Sequence, residues 1–468
     1  MKLKFCGADQ EVTGSCHMLV LDNGYSILVD AGMHQGAEQD TEKLNRSWLF
    51  DPAKIDCLLL THAHIDHCGR IPLLVKNGFH GRIICTSATK DLAALMLLDS
   101  AKIQMRDAEY ANKDHRRRNA TEPAVALYSD KDVEDCMKLF ESVDYEQAVV
   151  LNDHATAVFK DSGHIIGSAS ITLKVKVELD QEKVFGFTGD IGRPNRPILK
   201  DPVRMDQLDY LITESTYGGQ EHENIHSDAD RLLEIIKQTC VVNKGKLLIP
   251  AFSVGRTQEI IYLLDQFANE RKMPNIPVYV DSPLAVSATD IFRNHPECFD
   301  KDMVEYIKKD PDPFGFNGLK YIRDLEDSKA LNALQGPAII ISASGMINAG
   351  RIKHHVANHI EEANTTILIV GYCAKGTIGA ELRDGAKEVW MFGEMKQVKA
   401  KIEVMDSFSA HADQTEIMAY ISNQSIKKIQ TIFLVHGEID RQQALKTALE
   451  KFGFANILIP KLGQEFIF

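Results

Sequence analysis

Apolar and polar positions alternate in short runs over the first two hundred residues of this 468-residue chain, a pattern of strands broken by turns. Residues 2–5, 16–21 and 25–29 read as successive strands, the last two joined at Asp22-Asn23-Gly24, which suits a tight hairpin. Residues 55–60 are an apolar run of the kind a strand buried on both faces requires. Residues 165–179 contain ITLKVKVEL, the alternation of a half-exposed strand. Between these, residues 88–147 read as largely helical, with the charged stretch KDHRRR (113–118) in the middle. Such a run is a solvated helix face or the lining of a nucleic-acid path.

From about residue 208 the rhythm changes. Residues 246–250 lead into AFSVGR and the amphipathic TQEIIYLLDQF. Residues 338–341 lead into SASGMINAGR and a His-rich helix, and residues 366–370 into GYCAKGTIG. Strands that repeatedly give way to a glycine-containing loop and a helix imply a parallel, doubly wound sheet. After about residue 395 the strand pattern resumes at 398–405 and 431–435. The expected organisation is a catalytic α/β domain in two pieces, 1–207 and 396–468, interrupted by an inserted α/β domain at 208–395.

Composition narrows the class without naming a chemistry. Hydrophobic residues make up 44% and charged residues 25%, the balance of a soluble globular protein. No run is long and apolar enough to span a bilayer, and the N-terminal MKLKFCGADQEVTG has no signal-peptide core. A cytoplasmic protein without membrane contact is expected. Nine cysteines, with no C-x-x-C pair among them, argue against a disulfide framework or a thiolate metal site, and buried thiols are expected. The net charge of −13 runs against nucleic-acid binding, although bound cations can invert the field locally.

The densest chemistry is Thr61-His62-Ala63-His64-Ile65-Asp66-His67, directly after an apolar run. Three imidazoles and a carboxylate on a loop leaving a sheet make a ligand set for zinc. His62 and His64 can converge on one ion while Asp66 and His67 turn toward a second. Further donors stand at other strand ends: His164 in DSGHIIGSA, Asp190 in FTGDIGR and His436 in LVHGE. Asp190 could bridge two ions lying roughly 3.5–4 Å apart.

HAHIDH resembles the H-x-H-x-D-H motif of the metallo-β-lactamase superfamily. The resemblance implies an αββα sandwich that holds two zinc ions per chain through His62, His64, Asp66, His67, His164, Asp190 and His436. It makes Asp30, in ILVDAG, a carboxylate that orients the ligand loop. PAFSVGRTQE, VDSPLA and SASGM are similar to one branch, the β-CASP nucleases, which include the mRNA 3′-end-processing endonuclease. That branch implies a doubly wound β-CASP domain inserted in the sandwich. It also implies catalytic roles for Glu214 in ITESTYG and His411 in SFSAHAD, beside Asp66. In this branch the GT-x-G segment continues with arginine where this chain has Ala380, and Arg383 could compensate. The chain ends soon after the catalytic domain and resembles a minimal catalytic unit.

The implied function is endonucleolytic hydrolysis of RNA by a hydroxide activated between two metals, with exonuclease action left open. His411 would protonate the leaving oxygen, and the products would be a 5′-phosphate and a 3′-hydroxyl. Histidine at position 436 resembles the RNA-cutting members, so single-stranded RNA is the expected partner; a homodimer is left open. Ser253, Arg256, Ser342, Ser344, Gly345 and Arg351 lie at strand-to-helix junctions, where backbone N–H groups and arginine suit phosphate. The alternatives are a small-molecule metallo-hydrolase, which would not need the insertion, a DNA nuclease of the same branch, and an inactive RNA-binding subunit. A flavodiiron reductase is disfavoured because that branch carries Glu where His64 stands.

Overall fold

A computed structural model describes residues 1–36, 41–118, 123–178, 181–222, 228–371, 373, 376–405 and 409–468. The chain divides into two compact units. Met1–Arg196, Lys200–Glu221 and His411–Phe468 form the first, and Pro197–Leu199 with His222–Ala410 the second.

Two seven-stranded sheets build the first unit. One runs, in spatial order, Glu465–Ile467, Lys2–Phe5, His17–Val20, Ser26–Val29, Cys57–Leu59, Arg82–Thr86, Phe140–Val143. It is antiparallel as far as Ser26–Val29 and parallel beyond. The other runs Ile457–Leu458, Thr431–Val435, Tyr210–Glu214, Gln181–Phe187, Ala169–Glu178, Ala155–Asp161, Ala148–Asn152. Its first four strands are parallel and the rest antiparallel. Alternation along the strands sends one set of side chains inward. Leu3, Phe5, Leu19, Ile27 and Val29 of the first sheet share one core with Phe159, Ile171, Leu173, Phe185 and Phe433 of the second. Each such side chain contributes roughly 1.5–3 kcal/mol by burial. On the outer face of the second sheet, Ile417 and Ile421 of helix Gln414–Ile421 and Leu445 and Leu449 of helix Ile439–Phe452 pack against Leu211, Ile432 and Leu434. Helix Ser87–Arg118 lies against the first sheet, and helix Asp130–Met137 packs against that helix and against Ile71–Lys76. The layers are those of the expected αββα sandwich.

The second unit is a six-stranded sheet in the order Leu319–Tyr321, Val278–Val280, Ala338–Ser342, Lys246–Pro250, Thr366–Ile369, Lys401–Val404. All its pairings are parallel, as the repeated strand–loop–helix pattern requires. Lys246–Pro250 and Ala338–Ser342 are buried along their whole length, the mark of central strands covered on both faces. Helices Arg256–Asn269, Gly350–His359 and Ile378–Arg383 follow the three expected junctions. Ile352, Val356, Ile378 and Leu382 pack with Leu248, Ile340 and Ile367 on one face.

Three expectations shift. The boundaries fall at 221/222 and 410/411 rather than 207/208 and 395/396. Strand Tyr210–Glu214 pairs with Gln181–Phe187 and Thr431–Val435 in the sandwich, while Lys401–Val404 pairs with Thr366–Ile369 in the inserted sheet. Residues 88–147 hold helices Ser87–Arg118 and Asp130–Met137 but also strand Phe140–Val143. KDHRRR therefore ends a helix rather than centring one, and the side chains of 114–118 lie outside the described residues, as do residues 372, 374 and 375 of GYCAKGTIG and 407–408 of SFSAHAD. All nine cysteines are buried thiols. Among the described residues no helix is long and apolar enough to cross a membrane.

Candidate metal centre

Both sheets of the first unit deliver their chemistry at strand C-termini. Asp30 follows Ser26–Val29, residues 61–67 follow Cys57–Leu59, and His164 follows Ala155–Asp161. Asp190 follows Gln181–Phe187, Glu214 ends Tyr210–Glu214, and His436 follows Thr431–Val435. Strands that point the same way end at the same edge, so their loops converge, as at other α/β sites. His64 caps the short helix Ile65–Cys68, which puts Asp66 and His67 in its first turn. Gly32 is required beneath that turn, because a Cβ there would lie 1.6 Å from the Asp66 carbonyl oxygen. His411 is tied to the Asp190 loop by a bridge between Gly192 and His411 and by Ala412 N donating to Ile191 O at 2.8 Å. Two residues later Asp413 starts helix Gln414–Ile421 with a capping box completed by Glu416.

The donor atoms fall into two groups around Asp190. His62 Nε2 lies 3.1 Å from His64 Nδ1, which lies 3.2 Å from His164 Nε2, and both Nε2 atoms are 3.4 Å from Asp190 Oδ2. On the other side Asp190 Oδ1 is 3.2 Å from His67 Nε2 and 3.5 Å from His436 Nε2, which is 3.4 Å from Asp66 Oδ2. Ligands held at ~2.0–2.1 Å by tetrahedral zinc lie roughly 3.3–3.4 Å from one another. The donor separations within each group match edges of such a tetrahedron. His67 Nε2 and Asp190 Oδ1 are buried and make no hydrogen bond, as groups aimed at a cation would be. His62, His64, His164 and Asp190 could hold one ion, and Asp66, His67 and His436 a second.

Electrostatics separates the two groups. Burial pushes His62 down to about 4 and His64 to about 3, and drives His164 well below the usual histidine range. These rings are neutral at pH 7, with lone pairs free to ligate. Burial also opposes charge on His67, but the Asp190 and Asp30 carboxylates overcome it and raise His67 well above its ordinary value. Asp190 and Asp66 raise His436 against the same opposition. Desolvation opposes charge on the Asp66 and Asp190 carboxyls, yet His436 and His67 hold both below the usual carboxylate range. A metal bound to this group would displace protons.

Asp30 supports the ligand loop from below. Its Oδ1 accepts from Thr61 N at 2.8 Å, and its Oδ2 from Thr61 Oγ1 at 2.8 Å and from His67 Nδ1 at 2.7 Å. Thr61 Oγ1 also meets His62 Nδ1 at 3.1 Å, and Ser168 Oγ accepts from His164 N at 3.0 Å. The motif residues were legible, but these hydroxyl supports were not, since nothing in a lone Thr or Ser signals a contact formed only by folding.

Glu214 and His411 form a pair beside the metal donors. His411 Nδ1 is 3.2 Å from Glu214 Oε2 and 3.9 Å from Asp190 Oδ2. Glu214 is buried and accepts from Ile191 N at 2.5 Å and from Thr216 Oγ1 at 2.6 Å. Burial lowers His411, but Glu214 and Asp190 outweigh it and raise the ring to about 9. Both residues belong to the sandwich rather than to the inserted unit expected for Glu214.

The six residues expected at phosphate lie in the second unit. Arg351 Nη1 pairs with Asp281 at 2.7 Å, and its Nη2 donates to Arg323 O at 2.7 Å. Ser342 Oγ donates to Asp281 O at 2.6 Å, and Arg256 pairs with Glu259. These polar groups brace the carboxyl edge of the parallel sheet. Ser253 Oγ faces Ser282 Oγ at 3.4 Å. Ser344 is half-buried and Gly345 packs against the Phe252 ring. Ala380 is buried among apolar side chains of the unit's core.

Three family models match the chain: the metallo-beta-lactamase superfamily over residues 10–235, the Beta-Casp domain over 257–382, and a Zn-dependent metallo-hydrolase RNA specificity domain over 395–460. Ribonuclease TTHA0252 of Thermus thermophilus is 32% identical over 99% of both chains. An RNase J-like protein of Methanocaldococcus jannaschii is 30% identical over 96% of this chain and 94% of its own length. Transcription termination factor FttA of Methanosarcina mazei is 30% identical over 92% of this chain, which matches 66% of that longer protein. A crystal structure of a protein of unknown function from Enterococcus faecalis has the same fold at a TM-score of 0.55 and 10% identity, covering 100% of this chain and 99% of its own.

Proposed function

Because the chain belongs to the β-CASP branch of the metallo-β-lactamase superfamily, we propose that it is a two-zinc endoribonuclease that cuts single-stranded RNA and leaves a 5′-phosphate and a 3′-hydroxyl. One observation carries the reading: Asp190 offers Oδ2 to one group of donors and Oδ1 to another, the arrangement a bridged pair of ions needs. His62, His64 and His164 would hold one zinc and Asp66, His67 and His436 the other, with Asp190 shared between the two groups. When bound, the metals supply Lewis acidity, acidifying a water and offsetting the charge that develops on the attacked phosphate.

The chain's own residues supply the rest. Glu214 engages His411 Nδ1, so the opposite ring nitrogen is turned away from the carboxylate and is placed to give a proton to the departing 3′ oxygen. The nearby carboxylates favour the charged imidazole, the form a general acid must start from. The ribonuclease named in Thermus and the RNase J-like relative support RNA as the substrate class, and His436 supports RNA over DNA.

End-labelled single-stranded RNA and DNA of matched sequence, incubated with protein that has been stripped by chelator and reloaded, test this. Cleavage of RNA that returns with zinc, in fragments bearing a 5′-phosphate, with about two zinc per chain by elemental analysis, is expected. Equal cutting of DNA, or hydrolysis confined to small esters, sinks the reading.

A further inference from the structure

The hydroxyl of Thr216 stands between the donors of the second metal group and the Glu214–His411 pair. Its Oγ1 is 2.6 Å from Glu214 Oε2, 3.0 Å from His436 Nδ1 and 3.2 Å from the His436 carbonyl oxygen. A threonine hydroxyl has one proton and two lone pairs. Its shortest contact is to a carboxylate, which accepts, and charge-assisted bonds are the stronger ones. The proton therefore goes to Glu214 Oε2. What faces His436 Nδ1 is then a lone pair, and that contact is favourable only when Nδ1 carries hydrogen. A neutral ring protonated at Nδ1 leaves Nε2 bare, and Nε2 is the atom that faces Asp66 and Asp190. The chain of donors runs from His436 through Thr216 to Glu214, which His411 meets from the other side.

Building on the two-zinc ribonuclease reading, we propose that Thr216 is a positioning residue with two tasks. It sets the His436 tautomer that binds metal, and it holds the Glu214 carboxylate in the orientation His411 uses. Loss of the hydroxyl should disturb metal affinity and turnover together. Loss of His411 should disturb turnover alone.

Thr216→Val keeps the β-branched shape and removes the hydroxyl, whereas Thr216→Ser keeps the hydroxyl and removes a methyl. For each variant, zinc affinity is read by competition with a chromophoric chelator, and kcat and KM are measured separately on a short single-stranded RNA. Partners that hold a ligating histidine typically contribute about ten- to a hundred-fold to metal affinity or activity. Thr216→Val is expected to lose about that much in the affinity of its weaker zinc and in kcat, with KM unchanged. Thr216→Ser should stay close to the parent in both. Unchanged zinc affinity in Thr216→Val overturns the proposal, and so does Thr216→Ser failing as badly as Thr216→Val. If Thr216→Val does not fold, Thr216→Ala carries the same expectations. Failure of the parent protein to cut RNA would remove the ribonuclease reading, and the zinc competition would still decide what Thr216 does for His436.

Discussion

Asp190 and His411 sit within 3.9 Å of each other, and substitution should separate their contributions. Asp190 touches donors of both groups, so Asp190→Ala should lose bound metal and RNA cleavage together, by elemental analysis and gel assay. His411 faces Glu214 and belongs to neither group built on His62 or His67, although with Asp190 and Glu214 it makes a third cluster of donors. His411→Ala should therefore retain its metal while turnover falls about a hundred- to ten-thousand-fold, the usual worth of a general acid. Full activity in His411→Ala would mean that the proton comes from elsewhere. The seven candidate metal donors stand out in the sequence because histidine and aspartate at strand ends are costly without a purpose. Thr61, Ser168 and Thr216 could not, because a hydroxyl earns its role only through the neighbours that folding brings.

Short loops hold these residues at a cost. Asp30 and His436 adopt left-handed backbone, with φ of 60° and 50°, which for non-glycine residues is worth of order 1–3 kcal/mol each. Close packing enforces the geometry. A Cβ on Gly192 would lie 1.9 Å from the Gly163 carbonyl oxygen and 2.6 Å from His164 N. Gly192→Ala is expected to lower Tm and to release metal from the His62, His64 and His164 group, and a variant with full metal content would show that the loop yields freely. In the second unit, helix Arg256–Asn269 buries Asp265, which accepts from Tyr306 Oη at 2.6 Å. Burial pushes the Asp265 carboxyl up to about 6, against the lowering effect of the Tyr306 bond. The folded state thus keeps a proton that the unfolded chain releases near ~3.9. The stability this contributes is complete below that pH and is lost as pH rises toward 6. Asp265→Asn should raise Tm at pH 8 and leave it nearly unchanged at pH 4; equal shifts at both would place the effect in packing.

For the whole chain, a net charge of −13 would repel RNA, so favourable contacts to phosphate have to be local, as bound cations would make them. Affinity for single-stranded RNA is expected to fall as salt rises, because those contacts release counterions, and filter binding between about 50 and 200 mM salt would measure the slope. A flat response would mean that the contacts are not ionic. Metal held by these donors would join loops from both sheets of the sandwich, so chelation should lower its thermal transition. Hydrogen exchange should then rise in residues 61–67 and 436–437 while strand Lys246–Pro250 of the other unit keeps its protection.

By itself the sequence determined the strand and helix periodicities, the parallel character of the inserted sheet and the family, and it singled out the candidate metal donors that folding gathers. Each of these is carried by local pattern or by residue types that burial penalises unless they are paired. Only the tertiary structure decided which sheet each strand joins. Tyr210–Glu214 and Lys401–Val404 are short runs whose pairing partners stand far away in sequence, so the expected boundaries fell beside them. It also decided the partner of Arg351, since an arginine in the first turn of a helix reads as a phosphate ligand, and folding sets it beside Asp281 at the end of a different strand. Local pattern specifies an element and its buried face, whereas partners across long loops are chosen by the packing of the whole.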